Sequence, residues 1–238
     1  MGDSSISHST TTALPAEKVR LAVYDFDGTC ITGNSPALLV GYLMRNRILP
    51  FPTALRIGIW ALRYKYQLPQ NESFVRGLVF KPFCGIPADL VDDYLRLFYD
   101  EVVAARWRPA ADESIAAHHD EGCVVMAVSA TWEPIAFRAQ ESHRFDHVIA
   151  TRMVVDANGN YTRRVDGLPL EGQEKLRAVI AFANKAYGEG GWELAYAYGD
   201  HHSDAPLLSA ATTAFAVTPN KPLARMARER GWRILEWE

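Results

Sequence analysis

The sequence predicts an α/β fold with a Rossmann-like three-layer core, in which helices cover both faces of a mainly parallel sheet. Two observations support this class. From residue 123 onward, short apolar segments alternate with amphipathic helical segments, an order typical of parallel strands joined by helices. Several apolar segments also end in polar residues, and ligands of open α/β sheets bind at such carboxyl ends. An inserted helical domain and a small β-hairpin are predicted in addition.

The first strand is predicted over residues 21–24, an apolar run that leads directly into Asp25, Phe26, Asp27 and Gly28. Side chains alternate along a strand, so we expect Asp25 and Asp27 to project to one side while Phe26 packs on the other. Gly28 allows a tight turn and a close approach of the backbone to a ligand. The pattern indicates a site for a phosphate and a cation; the alternative interpretation is a simple turn.

Three amphipathic helices are predicted next, over residues 36–48, 53–66 and 88–105, where apolar residues recur every three or four positions. Pro36 lies in a first helical turn, where proline is well tolerated. These helices form the insertion that separates the first strand from the rest of the sheet.

The second strand is predicted over residues 123–128, an unbroken apolar run that ends at Ser129 and is typical of a strand buried on both faces. Residues 153–165 alternate around Asn158 and Gly159, which predicts a hairpin. The other predicted elements are strands at 147–150, 193–198, Thr213–Val217 and Arg233–Leu235, and a helix at Gln173–Tyr187.

Composition favours a globular protein with a small-molecule ligand. The 238 residues are 48% hydrophobic, which is enough for a sizeable core. The net charge of −3, with acidic and basic residues interspersed, argues against nucleic acid as a partner. Cys30, Cys84 and Cys123 are too few and too irregular for a disulfide framework, which favours the reducing cytoplasm.

The ends and the apolar segments give no sign of export or membrane insertion. Residues 1–17 are rich in Ser and Thr, without the apolar core of a signal peptide, and are expected to form a disordered tail. The apolar stretch 51–62 is interrupted by Arg56 and is too short to span a bilayer. We expect no transmembrane segment; contact with a membrane surface and the oligomeric state stay open.

Polar side chains follow three of the predicted strands, and the carboxyl ends of parallel strands share one edge of a sheet. These side chains are Asp25, Asp27, Ser129, Asp200 and Asp204. Four carboxylates close together would raise one another's pKa values unless a cation compensates. Mg²⁺ suits such an oxygen-rich site, because it binds a few carboxylates and keeps waters and a substrate oxygen.

Lys175, at the start of the helix after the hairpin, would supply a second positive charge. A phosphoryl group could then lie between Mg²⁺, Lys175, the Ser129 hydroxyl and the backbone amides near Gly28 and Ala130. The sequence therefore predicts a phosphate-binding site at this edge.

These residues resemble, in order, four motifs of the haloacid dehalogenase superfamily of aspartate-nucleophile phosphatases, and within it the phosphoserine-phosphatase-like branch. The segment from Asp25 to Thr29 is similar to the first motif, Ser129 to the second, Lys175 to the third, and Asp200 with Asp204 to the fourth. The resemblance covers the chain from about residue 19 onward.

The resemblance implies a phosphomonoester hydrolase that acts on a small phosphorylated metabolite, such as phosphoserine or a related ester. Asp25 would attack phosphorus to form an aspartyl-phosphate, while Asp27 would protonate the leaving alcohol and then activate the hydrolytic water. Mg²⁺ would be held by Asp25, the carbonyl of Asp27 and Asp200, with Asp204 as a ligand or an outer partner.

The resemblance also divides the chain into domains. Residues 18–31 and 110–238 would form the core, and residues 32–109 a cap that closes over the site and selects the substrate. Residues 32–35 and 108–111 are the expected hinges. Between Ser129 and Lys175 there is room only for a strand and the hairpin, so no second large cap is expected.

Substrate identity is left open by two features. Asn34 stands nine positions after Asp25, where phosphoserine-specific relatives carry an acidic residue, and an amide cannot pair with an ammonium group. The predicted cap is rich in arginine and aromatic residues, namely Arg45, Arg47, Arg56, Trp60, Arg63, Tyr64 and Tyr66. This is either a helical face packed on its neighbours or a surface for a lipid-like ester, as in relatives that act on phosphatidylglycerophosphate.

Two rival functions are compatible with the same fold. A phosphotransferase or mutase of the same superfamily would pass the phosphoryl group from Asp25 to a second alcohol instead of water. A binding module that has lost catalysis would carry a broken motif, and none of the four motifs is broken in this chain.

The remaining cysteine and histidines receive plainer interpretations. Cys30 is expected to be a packing residue, with a redox role as the alternative. His201 and His202 lie inside the fourth motif, where a role in loop packing is favoured over contact with substrate or metal. His118 and His119 are expected on the helix before the second strand, facing solvent.

Overall fold

The computed structural model of the chain describes residues 17–65 and 77–238, so residues 1–16 of the predicted tail lie outside it. The strands are β1 (Val19–Tyr24), β2 (Val124–Trp132), β3 (His147–Thr151), β4 (Met153–Val155), β5 (Tyr161–Val165), β6 (Trp192–Gly199), β7 (Thr213–Val217) and β8 (Arg233–Leu235). The α-helices are α1 (Ser35–Arg45), α2 (Phe51–Lys65), α3 (Ala88–Phe98), α4 (Pro109–Asp120), α5 (Glu133–Ser142), α6 (Gln173–Tyr187), α7 (Ala205–Ala210) and α8 (Lys221–Arg230).

Six strands form one parallel sheet in the order β3-β2-β1-β6-β7-β8, while β4 and β5 pair separately as the antiparallel hairpin. Strand β1 is central, and Leu21 pairs with Val124 on one side and Leu194 on the other. The residues from Leu21 to Tyr24 are fully buried, as expected for a strand covered on both faces. The predicted α/β fold class is confirmed.

The alternation of β1 separates two hydrophobic clusters. Leu21 and Val23 pack on the face covered by α6, α7 and α8, whereas Ala22 and Tyr24 pack on the face that meets α4 and α5. Asp25 continues the period of Leu21 and Val23, so it projects toward the α6 face. The sheet geometry thus determines which helix meets this carboxylate.

Helices α1, α2 and α3 lie between β1 and β2 in the chain. A π-helical turn (Tyr99–Val103) and a 3₁₀ turn (Ala104–Arg106) follow α3, so the predicted helix 88–105 is shorter and less regular than expected. An aromatic cluster joins α1 to α3: the ring centroids of Tyr42 and Phe98 are 5.2 Å apart.

The two chain segments that enter and leave this insertion run side by side. The amide of Thr32 donates to the carbonyl of Arg106 at 2.8 Å, and the amide of Arg108 donates to the carbonyl of Cys30 at 2.9 Å. Between them, Ile31 forms an antiparallel bridge with Trp107. Both crossings are therefore tied into one short ladder.

The hairpin also contacts the insertion. The amide of Ala88 donates to the carbonyl of Gly159 at 2.9 Å, and the amide of Gly85 donates to the carbonyl of Tyr161 at 2.8 Å. Helix α3 is therefore held at its start by the β4–β5 turn.

Two predictions about the region after residue 128 are wrong. Strand β2 continues through Ser129 to Trp132, which pairs with Thr151 after an irregularity that begins at Val128. The expectation of only a strand and the hairpin between Ser129 and Lys175 is the second, because helix α5 also lies there; it has Pro134 in its first turn and buries Ile135. Hydrogen bonds to buried polar side chains allow β2 to continue where the apolar run stops.

The prediction that His118 faces solvent is also wrong. His118 is 5% exposed, its ring stacks on Tyr196 with centroids 4.2 Å apart, and Nε2 lies 2.7 Å from the hydroxyl of Tyr198. Burial lowers the pKa of His118, so the imidazole is neutral at neutral pH. His119 is half-buried, with Nε2 at 2.8 Å from the carbonyl of Arg144.

Of the arginines singled out in the predicted cap, Arg45, Arg47 and Arg56 are exposed. The side chains of Trp60, Arg63 and Tyr64, and the whole of Tyr66, lie outside the described residues. Of the helices in the described ranges, none combines the length and the apolar character needed to cross a bilayer.

Candidate active site

A cavity of about 410 Å³ opens at the carboxyl ends of β1, β2 and β6. Every residue that the sequence predicts for the site lines it: Asp25, Asp27, Gly28, Ser129, Ala130, Lys175, Asp200 and Asp204. Parallel pairing of the three strands brings the carboxylates and Ser129 together although they lie far apart in the sequence, and Lys175 reaches them from α6.

Lys175 lies between two buried carboxylates. Its Nζ donates to Asp25 Oδ1 at 2.6 Å and to Asp204 Oδ1 at 2.7 Å, and all three side chains are almost completely buried. Although burial alone would lower the pKa of Lys175, the carboxylates of Asp204 and Asp25 raise it above its ordinary value. The lysine is therefore charged and compensates part of the negative charge of the site.

The remaining negative charge is not fully compensated by the described side chains. Burial, opposed by Lys175 and reinforced by Asp204, raises the pKa of Asp25 well above its ordinary value. Burial and repulsion from Asp204 raise the pKa of Asp200 to about 7. The raised pKa values indicate an excess of negative charge in the site, and one more positive charge would stabilise the ionised carboxylates.

Three carboxylates could bind a cation that provides this positive charge. Oxygens of Asp25, Asp200 and Asp204 all lie within 4.8 Å of one another, and an all-oxygen donor set suits a hard cation such as Mg²⁺. The residues present therefore fit the metal that the family resemblance implies. The Asp27 carboxylate is instead hydrogen-bonded to Ser35.

Asp27 is held by the first turn of α1. The amide of Ser35 donates to Asp27 Oδ1 at 2.6 Å, and the Ser35 hydroxyl lies 3.1 Å from Oδ2. The same hydroxyl lies 2.6 Å from Oγ1 of Thr131, and both Ser35 and Thr131 are fully buried. Helix N-termini favour carboxylates because their first amides have no intrahelical acceptor. Sequence reasoning missed Ser35 and Thr131.

Asn34 acts as the N-cap of the same helix. Its side-chain oxygen accepts a hydrogen bond from the amide of Ala37 at 3.1 Å, and the residue also borders the cavity. The sequence signal for Ser35 was therefore present: an N-cap residue and Pro36 mark a helix start eight positions after Asp27.

Two glycines are required by close contacts with site carboxylates. A Cβ on Gly28, which has φ +80°, would lie 2.2 Å from Asp200 Oδ2. A Cβ on Gly199 would lie 2.6 Å from the Cβ of Asp204. Both positions bring the backbone against the acidic cluster, so neither tolerates a side chain.

Ser129 and Ala130 lie on β2 opposite these loops. The Ser129 hydroxyl is buried and accepts a hydrogen bond from the amide of Thr131 at 3.0 Å, which fixes its rotamer beside the cavity. Thr151 donates to the carbonyl of Ala130 at 2.9 Å. The hydroxyl and the backbone at this bend are thus preorganised.

Arg108 also borders the cavity, although the sequence indicated it only as part of a hinge. The guanidinium is buried, donates to the carbonyl of Trp237 and to Thr218, and lies 3.5 Å from the carbonyl of Gly28. Thr218 adopts φ +39°, which is rare for a β-branched residue.

The other side chains singled out from the sequence have local contacts. His201 Nδ1 accepts a hydrogen bond from the backbone amide of Ser203, and His202 Nδ1 lies 3.3 Å from the side-chain nitrogen Nδ2 of Asn220. The Cys30 thiol is buried and donates to the carbonyl of Asp25 at 3.1 Å. Burial raises the pKa of Cys30 well above its ordinary value, so the thiol stays protonated and unreactive.

The family model for haloacid dehalogenase-like hydrolases matches residues 22–209, a range that includes every residue predicted for the site. The chain belongs to this family. Within the hydrolase family it belongs to the phosphoserine-phosphatase-like branch, and it is a phosphatase. The predicted family and enzyme class are confirmed.

Two relatives from Mycobacterium tuberculosis resemble this hydrolase over most of its length. A phosphoserine phosphatase is 29% identical over 230 residues, which cover 94% of this chain and 72% of that protein. A probable phosphatase is 36% identical over 223 residues, which cover 91% and 75% respectively. Among solved structures, a protein of unknown function from Bordetella pertussis Tohama I has a TM-score of 0.82 at 23% identity, covering 92% of this chain and 99% of its own.

Proposed function

We propose that this hydrolase is a Mg²⁺-dependent phosphomonoesterase that transfers the phosphoryl group of a small phosphorylated metabolite to Asp25 and then to water. The observation that carries the proposal is the position of Lys175, whose Nζ bonds one oxygen of Asp25 inside the acidic cavity. A lysine in this place orients the carboxylate and offers positive charge to a phosphoryl oxygen. An ion pair that only stabilised the fold would not need to line a cavity.

The first step forms the aspartyl-phosphate. The carboxylate oxygen of Asp25 that Lys175 does not hold attacks phosphorus, while the bond to the leaving alkoxide breaks. Asp27 gives its proton to the oxygen of the leaving alkoxide, so the product leaves as a neutral alcohol. Ser35 keeps Asp27 at a fixed position through two hydrogen bonds.

The second step releases phosphate. Asp27, now ionised, takes a proton from a water molecule as the water oxygen attacks phosphorus, and the bond to Asp25 breaks. The hydroxyl of Ser129, Lys175 and the amides near Gly28 and Ala130 are proposed to bind the phosphoryl oxygens in both steps. Mg²⁺ bound by Asp25, the carbonyl of Asp27 and Asp200, with Asp204 as a ligand or an outer partner, would neutralise charge on the phosphoryl group.

We further propose that residues 32–109 act as the substrate-selecting cap on the core formed by 18–31 and 110–238. The paired crossings at Thr32–Arg106 and Cys30–Arg108 support this division, because they bring both ends of the insertion to one place beside the cavity. Phosphoserine is the first substrate to test, because one relative is named as a phosphoserine phosphatase. The neutral side chain of Asn34 cannot pair with the ammonium group of phosphoserine. Related phosphate esters that lack an ammonium group therefore belong in the same panel.

The test is a search for the phosphoenzyme. Wild-type protein with Mg²⁺ and a phosphoester should accumulate an acid-stable phosphoenzyme that hydroxylamine cleaves, and Asp25→Asn should lose both this species and turnover. Asp93→Asn, an exposed change on α3, is the matched control and should keep both. An Asp25→Asn protein that turns over at the wild-type rate would end the proposal. Adding an acceptor alcohol and analysing products separates hydrolysis from phosphotransfer.

One observation favours a second candidate, a lipid-like phosphate ester as substrate. Phe51, Leu55 and Ile59 are 69%, 53% and 53% exposed and recur every four residues along α2. Such a stripe suits an acyl chain or a membrane surface. Phosphatidylglycerophosphate in mixed micelles should then be preferred over phosphoserine, and Leu55→Asp should remove that preference while p-nitrophenyl phosphate is still hydrolysed.

A further inference from the structure

A second group of metal-ligating side chains lies where α4 ends and β2 begins, outside the cavity. One atom from each of His118, Glu121 and Cys123 can be chosen so that all three lie within 4.8 Å of one another. We propose that these three side chains bind a borderline transition-metal ion of the Zn²⁺ type, at a site separate from the acidic cluster.

The backbone of the helix end creates this group. The amide of Cys123 donates to the carbonyl of His118 and the amide of Gly122 donates to the carbonyl of His119, both at 2.9 Å, which is the Schellman pattern. Gly122 has the required positive φ of +75°. Side chains at the positions of His118 and Cys123 meet in this motif, and they frequently form an apolar contact. Here the pair consists of an imidazole and a thiol.

One tautomer of the His118 imidazole has the orientation found in metal sites. Metal-bound histidines donate their second ring N–H to a neighbouring oxygen, which fixes the tautomer. When His118 Nε2 donates to the Tyr198 hydroxyl at 2.7 Å, the lone pair of Nδ1 lies on the side of Glu121, whose Oε2 is 3.8 Å away. Nδ1 is buried and has no hydrogen-bond partner among the described residues, in a side chain that is 5% exposed. A bound cation would satisfy this atom.

The donor set indicates which kind of ion fits. Sulfur, imidazole nitrogen and a carboxylate suit Zn²⁺ or Co²⁺ and not Mg²⁺, which takes oxygen ligands. Glu121 is exposed, so solvent can reach the group and a water can complete a four-coordinate shell. The ion would tie the end of α4 to the first residue before β2.

Two described side chains compete with the ion for Glu121. The guanidinium of Arg20 lies 3.6 Å from Glu121 Oε2, and the hydroxyl of Tyr196 donates to the same oxygen at 2.8 Å. Arg20 also lies 3.8 Å from Glu193, to which it can turn when Glu121 binds metal. Arg20 is therefore a competitor for Glu121, and removing it should strengthen metal binding.

The experiment is a Co²⁺ titration of the full chain with Mg²⁺ present in excess to saturate the acidic cluster. We expect one equivalent of Co²⁺ with a thiolate-to-cobalt charge-transfer band, displaced by Zn²⁺. Cys123→Ser should abolish the band, Tyr198→Phe should weaken Co²⁺ binding about 10–100-fold, and Arg20→Ala should strengthen it. Cys84→Ser, at an exposed free cysteine, and His119→Ala are matched controls and should change nothing.

The readout is independent of phosphatase activity, so it can fail while the proposed function stands. Three results would overturn the metal site: a band that survives Cys123→Ser, a band lost in Cys84→Ser, or no band at millimolar Co²⁺. The contact between His118 and Cys123 would then be a packing contact only. Glu121→Gln changes an exposed residue and keeps the test decisive if Cys123→Ser does not fold. It should weaken Co²⁺ binding severalfold, and unchanged affinity would count against the site.

Discussion

Ser35 holds Asp27 by two hydrogen bonds, from its amide at 2.6 Å and from its hydroxyl at 3.1 Å. Asp27 follows β1, whereas Ser35 is the first residue of α1 and belongs to the insertion. The position of the proposed acid/base therefore depends on where the insertion begins, and not on the sheet alone.

Replacing Ser35 by Ala should lower kcat about tenfold, because one of the two bonds to Asp27 is lost while the amide remains. The loss should be larger for alkyl phosphates than for p-nitrophenyl phosphate, whose leaving group needs little protonation. Steady-state kinetics on both esters would measure this, with the exposed Ser142→Ala as control. Equal losses on the two esters would contradict a role through Asp27.

Gly28→Ala should abolish turnover and destabilise the fold by about 1–3 kcal/mol, since the φ is +80° and the added Cβ would meet Asp200 Oδ2 at 2.2 Å. Gly190→Ala is the matched control: it has φ +77° but no atom within 4 Å of its Cβ. Both variants impose a similar positive φ on alanine, so urea denaturation of the pair separates that effect from the clash. Wild-type activity in Gly28→Ala would refute the close approach.

Metal-free protein should lose stability as pH rises from about 4 to about 7. Burial raises the folded-state pKa of Asp25, and burial with repulsion from Asp204 raises that of Asp200 to about 7, above the unfolded value of about 4. The folded state then holds more protons than the unfolded chain, so each rise in pH within this window favours unfolding. Thermal melts across the window should show the decline, and saturating Mg²⁺ should reverse it at pH 7.

Asp200→Asn provides the comparison for that titration. It should flatten the pH dependence and raise the metal-free Tm at pH 7, while turnover is lost because a proposed metal ligand is gone. A variant as pH-sensitive as wild type would show that other groups produce the decline.

Replacing Arg56 or Trp60 by Ala should change substrate preference more than the chemical step. Arg56 is exposed on α2, far in sequence from the groups proposed to contact phosphate, so KM for the preferred ester should rise while p-nitrophenyl phosphate is still hydrolysed. Arg225→Ala on α8 is an exposed control. If the ranking of a phosphoester panel is unchanged in both variants, substrate selection by the insertion is wrong, and the hairpin around Asn158 becomes the next element to test.

Sequence reasoning predicts best where one signal decides. The apolar run of β1 with its acidic end, the Asn158–Gly159 turn and α6 (Gln173–Tyr187) all stand where the sequence places them. In each case the local pattern and the tertiary environment agree, which is why local rules suffice.

The sequence misleads where tertiary contacts override local pattern. Polar Ser129 and Thr131 continue β2 because side-chain hydrogen bonds satisfy them in a buried site. His118 is buried because α4 ends beneath Tyr196 and Tyr198, and this pairing of distant segments leaves no local signal. The role of Ser35 needs the three-dimensional meeting of a helix start with a strand end.

The ladder between Cys30–Thr32 and Arg106–Arg108 limits how the insertion can move. Two separate single-chain connections would let it twist as well as tilt, whereas two crossings joined by backbone hydrogen bonds resist torsion and bend together as one strip. The hydrogen bonds therefore favour bending of both connections together, at Ile31 and Trp107, over independent motion of either one. Because the Asp27 carboxylate accepts two hydrogen bonds from Ser35 at the start of the insertion, we expect any movement of the insertion to affect the proposed acid/base together with access to the cavity.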